Sequence, residues 1–439
     1  MTWHVLTRVG LDDAYNPRLG SSEPRIEVAF ERSGDRWLLP NNVLPQISEH
    51  SGNPPSAVAT DLVYLAMAAY AADLRIPRRF GAERWQRQIV LHVPVQDHGL
   101  WSRHAGHVER TLSFLTGDTW ELRLRPRKTA KSATRGSKLK NVQHVCLFSG
   151  GLDSLVGALD LLAQGESVAL VGHHGSGITN SVQDRVLTAV IRKYGPTVAP
   201  FMFHAQPPKG NIKDGEPSMR SRSFLFISMG VAVASALGGS APLIVPENGL
   251  ISLNVPLTTA RSGSRSTRTT HPHFVALFRE LLGRVALPNA VQTPYRFRTK
   301  GEMLRECKDP VTLAGATPLT MSCSHPEVGR YQGRSPNNHC GYCVPCIIRK
   351  AATKSARLPD APYDVQIETS PPLHTTDSGR DYRAFQMALQ RMGGMTNSQA
   401  AFRVLAPGPL PPEEILDFAG VYLRGMEEVR GLLERKRSK

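Results

Sequence analysis

The sequence predicts an α/β fold built on a doubly wound parallel sheet, and three observations predict it. From residue 141 to 246, short apolar runs alternate with helix-length amphipathic runs, the rhythm of a parallel sheet with helical crossovers. A glycine-rich turn, Ser149-Gly150-Gly151-Leu152-Asp153-Ser154, joins the first of these strands to the first helix, at the strand end where open α/β sheets gather ligands. Downstream, four cysteines cluster within 24 residues, a pattern that staples a loop-rich segment.

Taken in order, residues 1–125 read as an accessory α/β unit with helices over 56–74 and 104–115 and strands over 25–31, 88–95 and 119–124. It holds no chemical motif. Residues 126–140 form a basic linker within RPRKTAKSATRGSKLK, which has seven basic residues and no acidic one. The doubly wound sheet unit spans 141–300, with strands at 144–148, 167–172, 197–204 and 242–246 and helices at 154–164, 180–194 and 219–237. His173-His174-Gly175 and Glu247-Asn248-Gly249 also fall at strand ends. Residues 248–279 have no acidic residue, and Arg261, Arg265 and Arg268 mark a basic loop expected to act as a lid over the site. The four-cysteine segment occupies 301–358. A helical tail follows over 359–439, where Ile415, Phe418, Ala419, Tyr422, Met426, Val429 and Leu433 form one apolar stripe.

Composition narrows the function. Across 439 residues, 53 basic against 37 acidic side chains give a formal charge of +16, which favours an anionic partner: nucleotide, nucleic acid or an acidic protein face. The longest apolar helix candidate, 62–72, is shorter than the roughly 18 residues of a membrane span, and Met1-Thr2-Trp3-His4 opens no signal peptide. The expectation is a cytoplasmic protein with no membrane partner. No cysteine lies in residues 1–145, so a fused glutaminase has no thiol nucleophile there.

A glycine-rich turn entering a helix turns several backbone N–H groups and the positive end of the helix dipole toward one point, which makes an anion site. A phosphate loop of the Walker type would place a lysine at this entrance, and none is present. The hydroxyls of Ser149 and Ser154 suit phosphate oxygens, while Asp153 suits Mg²⁺ or the loop itself. In the second motif, Cys340-x2-Cys343-x2-Cys346 with Cys323 upstream makes a closed four-thiolate site suited to structural Zn²⁺. An iron–sulfur cluster takes the same donors. His325 and His339 flank the set as neighbours.

The string SGGLDS resembles the loop of the PP-loop ATP pyrophosphatases, a HUP-like fold whose members cleave ATP between the α- and β-phosphates. Together with the four-cysteine layout, it resembles the QueC family, the 7-cyano-7-deazaguanine synthases. Further matches are Ser221-Arg222-Ser223, Thr299-Lys300-Gly301-Glu302 as a TKxE element, and Arg349 closing CxxCxxCxxR. The resemblance runs from about residue 141 to 357. It implies an adenylating, carbon–nitrogen bond-forming ligase that uses ATP, Mg²⁺ and Zn²⁺. Ser149, Gly150, Gly151, Leu152, Asp153 and Ser154 would hold the pyrophosphate, Asp153, Ser149 and Lys300 would serve catalysis, and a 7-carboxy-7-deazaguanine-like acid would be the substrate.

Departures from the family are the N-terminal unit, the basic loop, the tail, and Thr269-Thr270-His271-Pro272-His273-Phe274 where the family has Asp-Cys-Arg-Pro-Glu-Phe. Size and architecture instead resemble the QatC-type proteins of bacterial anti-phage systems. That likeness implies a protein amine from the same defence system as acceptor. Ammonia-dependent nitrile synthesis, tRNA modification and non-catalytic nucleotide binding are the competing readings, with nucleic acid as a less favoured partner.

Overall fold

The structure is a computed structural model and describes residues 1–9, 13–20, 23–30, 39–127, 139, 141–175, 177–206, 216, 220–258, 268–326, 335 and 338–434. Most of the basic linker lies outside the described residues, as do Arg261 and Arg265 of the expected lid.

Two all-parallel sheets organise the chain. The first contains β1 (Thr2–Arg8), β2 (Arg25–Ala29), β3 (Gln88–Val95) and β4 (Thr119–Pro126) in the order 2-1-3-4. Its helices are α1 (Val43–Ser51), α2 (Ala57–Arg75) and α3 (His98–Thr116). The second contains β5 (His144–Leu147), β6 (Val168–His174), β7 (Val198–His204), β8 (Leu243–Ile244) and β9 (Val291–Gln292) in the order 7-6-5-8-9. Around it run α4 (Leu152–Leu162), α5 (Ile178–Tyr194), α6 (Arg222–Ala236), α7 (Gly249–Leu253), α8 (Pro272–Arg284), α9 (Lys300–Glu306) and α10 (Pro310–Ala316). Strand order reverses between β5 and β8. Such a switch point opens a crevice at the carboxyl ends of the strands, and the glycine-rich turn and Glu247-Asn248 both lie there.

Helix α2 explains how the two sheets meet. Its sequence, AVATDLVYLAMAAYAADLR, is apolar on every side, and a helix of that kind must be covered on every side. It is long and apolar enough to cross a bilayer, which the shorter 62–72 run did not foretell, yet 78% of its apolar stretch is buried within the protein. The first sheet covers one flank and α6 the other, so Val5 and Val93 share one core with Val145, Val171 and Phe201. Its two carboxylates are satisfied by hydrogen bonds: Asp61 accepts from the backbone of Gln96 and Asp97, and Asp73 from Arg87 and Ser221.

A second core on the opposite face of the β5–β9 sheet joins α4 and α5 to α9 and the cysteines. The third core gathers α7 and α11 (Val344–Ser355) with α12 (Gly379–Met392), α13 (Asn397–Val404) and α14 (Ile415–Leu433). On α14 the expected stripe is buried at Phe418, Ala419, Tyr422, Met426 and Val429.

Candidate active site

Leu147 ends β5, and the chain turns through Ser149-Gly150-Gly151 into α4, whose N-cap, Gly151, offers no side chain to its first N–H groups. Gly150 has φ +79°, and a Cβ there would press on Gln183 of α5. Gln183 in turn donates to Phe148 O (3.1 Å), and Met321 N donates to Gly150 O (3.1 Å), so α5 and the cysteine segment brace the turn from two sides. Ser154 Oγ donates to Gly151 O at 2.9 Å and lies 3.3 Å from Ser149 Oγ, which faces solvent. Leu152 is fully buried and serves packing.

Asp153 lies in the first turn of α4, buried, and is ion-paired with Lys300, the first residue of α9. Asn248, the N-cap of α7, donates its side-chain amide to Asp153 at 2.6 Å and its backbone N–H at 3.3 Å. Burial opposes ionisation of Asp153, but the Lys300 charge and hydrogen bonds from Glu247, Lys300 and Asn248 outweigh it and hold the carboxyl below its ordinary range. The Glu247 carboxyl is raised well above its ordinary range by burial and by the neighbouring Asp153 charge. The two carboxyls thus share one proton, with Asp153 the ionised member and Lys300 its counter-charge.

The Thr299-Lys300-Gly301-Glu302 string has a structural explanation. Thr299 Oγ1 accepts from Glu302 N (3.1 Å) and the Glu302 carboxylate accepts from Thr299 N (2.9 Å), a capping box that starts α9 with Lys300 at its first position. Ser221-Arg222-Ser223 likewise opens α6. Arg222 Nε donates to His173 Nδ1 (3.2 Å) and Nη2 to His173 O (3.1 Å), while His173 Nε2 meets Ala205 O at 3.0 Å. Burial and the Arg222 charge hold this imidazole neutral, down to about 3. Arg268, the one described arginine of the expected lid, stacks on Phe114 with its guanidinium 4.6 Å from the ring and donates to Phe114 O.

Cys323, Cys340, Cys343 and Cys346 converge with all four sulfurs within 4.8 Å of one another. The Cys323–Cys343 and Cys340–Cys346 separations are 4.0 and 3.8 Å. Tetrahedral ligands at the Zn–S distance of about 2.3 Å stand about 3.8 Å apart, so the donor set fits zinc. His325 donates its backbone N–H to Cys323 Sγ (3.3 Å), and buried His339 accepts from Ser322 N. Both are neighbours of the sulfurs. Arg349 is entirely buried and donates to Thr317 O, Thr320 Oγ1 and Asp360, tying the segment that leads to Cys323 onto α11. Sequence reasoning placed Glu247-Asn248-Gly249 at the strand end without a role; Gln183 and Met321 carried no local signal.

No family model matches the chain. The chain is 28% identical over 240 residues to a 7-cyano-7-deazaguanine synthase of Cupriavidus necator, a match that takes in 49% of this chain and 94% of the relative. This is weak homology to nearly the whole of a QueC-type enzyme, with the other half of the chain lying outside the match.

Proposed function

We propose that this chain is an ATP-dependent, AMP-forming ligase of the QueC type that activates a 7-deazaguanine carboxylate and transfers it to an amine. The observation that carries the reading is the buried Asp153–Lys300 pair, braced by Asn248, in the first turn of the helix that follows the SGGLDS turn at the sheet's switch point. First, a carboxylate oxygen attacks the α-phosphorus, the Pα–O–Pβ bridge breaks, and pyrophosphate leaves with the bonding electrons. Then the amine nitrogen attacks the acyl carbon, AMP leaves, and the nitrogen loses a proton.

The N-terminus of α4 with Ser149 and Ser154 suits the departing pyrophosphate, and Lys300 supplies positive charge where negative charge develops. Asp153, the ionised carboxylate of the turn, is the residue that would hold Mg²⁺, which when bound offsets phosphate charge. Zinc at the four cysteines has a structural role. The weak homology to a 7-cyano-7-deazaguanine synthase supports the substrate class.

The acceptor in this reading is a protein amine in bacterial anti-phage defence, with residues 1–125, the basic loop and the tail recognising the partner. Support comes from the resemblance to QatC-type proteins, from the half of the chain outside the match, and from the +16 charge. An N-terminal amine, with a pKa near 8, is unprotonated more often at neutral pH than a lysine near 10.4.

The test incubates the protein with ATP, 7-carboxy-7-deazaguanine and proteins encoded beside it, and measures nucleotide products and intact masses. AMP, pyrophosphate and a partner that gains the acyl mass are expected, with Asp153→Ala releasing no pyrophosphate. ADP as the product would overturn the reaction class. Free nitrile formed from ammonia, with no partner gaining mass, would overturn the protein acceptor.

A further inference from the structure

Helix α9 is only seven residues long, too short to hold its own position in water. Its capping box occupies the local caps; from outside it rests on α4 through Met303 and Leu304 and on α11, where Arg305 donates to Ser355 Oγ (2.9 Å), while its first turn, which carries Lys300, is also gripped by α14. Glu428 of α14 accepts from Thr299 Oγ1 at 2.5 Å with one carboxylate oxygen and from Gly301 N at 3.2 Å with the other. The carboxylate thus grips the residues on either side of Lys300. One turn earlier, Arg424 donates to Glu302 Oε1 (2.6 Å) and to Phe297 O (2.9 Å), and Arg305 lies 3.8 Å from Glu428. The fit is close: a Cβ on Gly301 would collide with the Glu428 carboxylate and with Ser355 Oγ.

We propose that Glu428 is a positioning residue for Lys300, so that the C-terminal helix sets the geometry of the Asp153–Lys300 pair. Thr299 uses its hydroxyl twice, accepting from Glu302 N and donating to Glu428, and the second use orients the first. Without the carboxylate, the Thr299 hydroxyl and the Gly301 N–H both lose their partner, α9 pivots on its cap, and the ammonium moves relative to Asp153. Lys300 itself makes no contact with Glu428 that would do this directly. The inference rests on the proposed reaction only for its kinetic readout.

The test measures acetylation of Lys300 by N-hydroxysuccinimidyl acetate, followed by mass spectrometry, with exposed Lys354 as internal control. In the wild type Lys300 is 6% exposed and ion-paired, so its modification is slow. Glu428→Ala is expected to raise the Lys300 rate about tenfold while leaving Lys354 unchanged, and Glu428→Gln, with one acceptor oxygen in place of two, to fall between. In pyrophosphate release, Glu428→Ala should lower kcat about tenfold with KM for ATP within about twofold, and should cost nothing further in a Lys300→Ala background. A Lys300 rate at the wild-type level in both variants, or additive kinetic losses, would overturn the assignment. Should the alanine variant unfold, the glutamine variant decides, since it keeps the side chain's shape. Absence of pyrophosphate release from the wild type would overturn the reaction, while the lysine reactivities still decide the role of Glu428.

Discussion

Gly150 carries the turn in a left-handed conformation with Gln183 packed where a side chain would begin. Gly150→Ala is therefore expected to cost about 1–2 kcal/mol from the backbone alone, and more where Gln183 must give way. Urea unfolding of the variant measures it; an unchanged midpoint would mean that the turn relaxes freely. The loop was legible in the sequence because its chemistry is local: glycines, hydroxyls and Asp153 lie within six consecutive residues. The partners of Asp153 were not. Asn248 is 95 positions away and Lys300 is 147, and nothing in a single chain's pattern states that two strand ends and a helix start converge. Lys300 was found through its TKxE string, whose threonine and glutamate prove to be the cap of α9.

At the scale of elements, the cysteine segment does more than close on itself, since Met321, two residues before Cys323, hydrogen-bonds the backbone of Gly150. A structural metal contributes folding free energy directly. Elemental analysis should find one zinc per chain, and Cys343→Ser should lose it, become sensitive to protease near residues 317–326, and lose ATP turnover although no cysteine touches the loop. Iron with sulfide, or a metal-free wild type that remains folded, would contradict this. Strands β5 to β7 and helix α2 were readable from apolar runs. Strand β1 was missed because His4 and Arg8 punctuate TWHVLTR with polar groups, both of which are buried. Strand β8 falls inside the expected run 242–246 but pairs over two residues only, and β9, equally short, was missed because two residues carry no periodicity. Helix α3 starts at His98, ahead of the expected residue 104, because Asp97 caps it by accepting from Leu100 N.

For the whole molecule, four buried imidazoles set an acid limit. Burial holds His173, His271 and His339 down to about 3 and His92 down to about 4, against about 6.5 in an unfolded chain. Below about pH 6.5 the unfolded state takes up protons that the folded state refuses, so stability is full above that pH and falls as pH drops toward 4. Each histidine steepens the loss by up to about 1.4 kcal/mol per pH unit. Urea midpoints at pH 7.5 and 5 should differ strongly, and a flat profile would place these rings in contact with water. The all-round apolarity of α2 reaches further still. Because α2 is covered on one flank by the first sheet and on another by α6, a peptide bond severed between residues 127 and 139 would not free the first sheet. The two fragments would stay joined as subunits of an obligate heterodimer do, and either one made alone would present a bare apolar helix face to water, a target for chaperones and proteases.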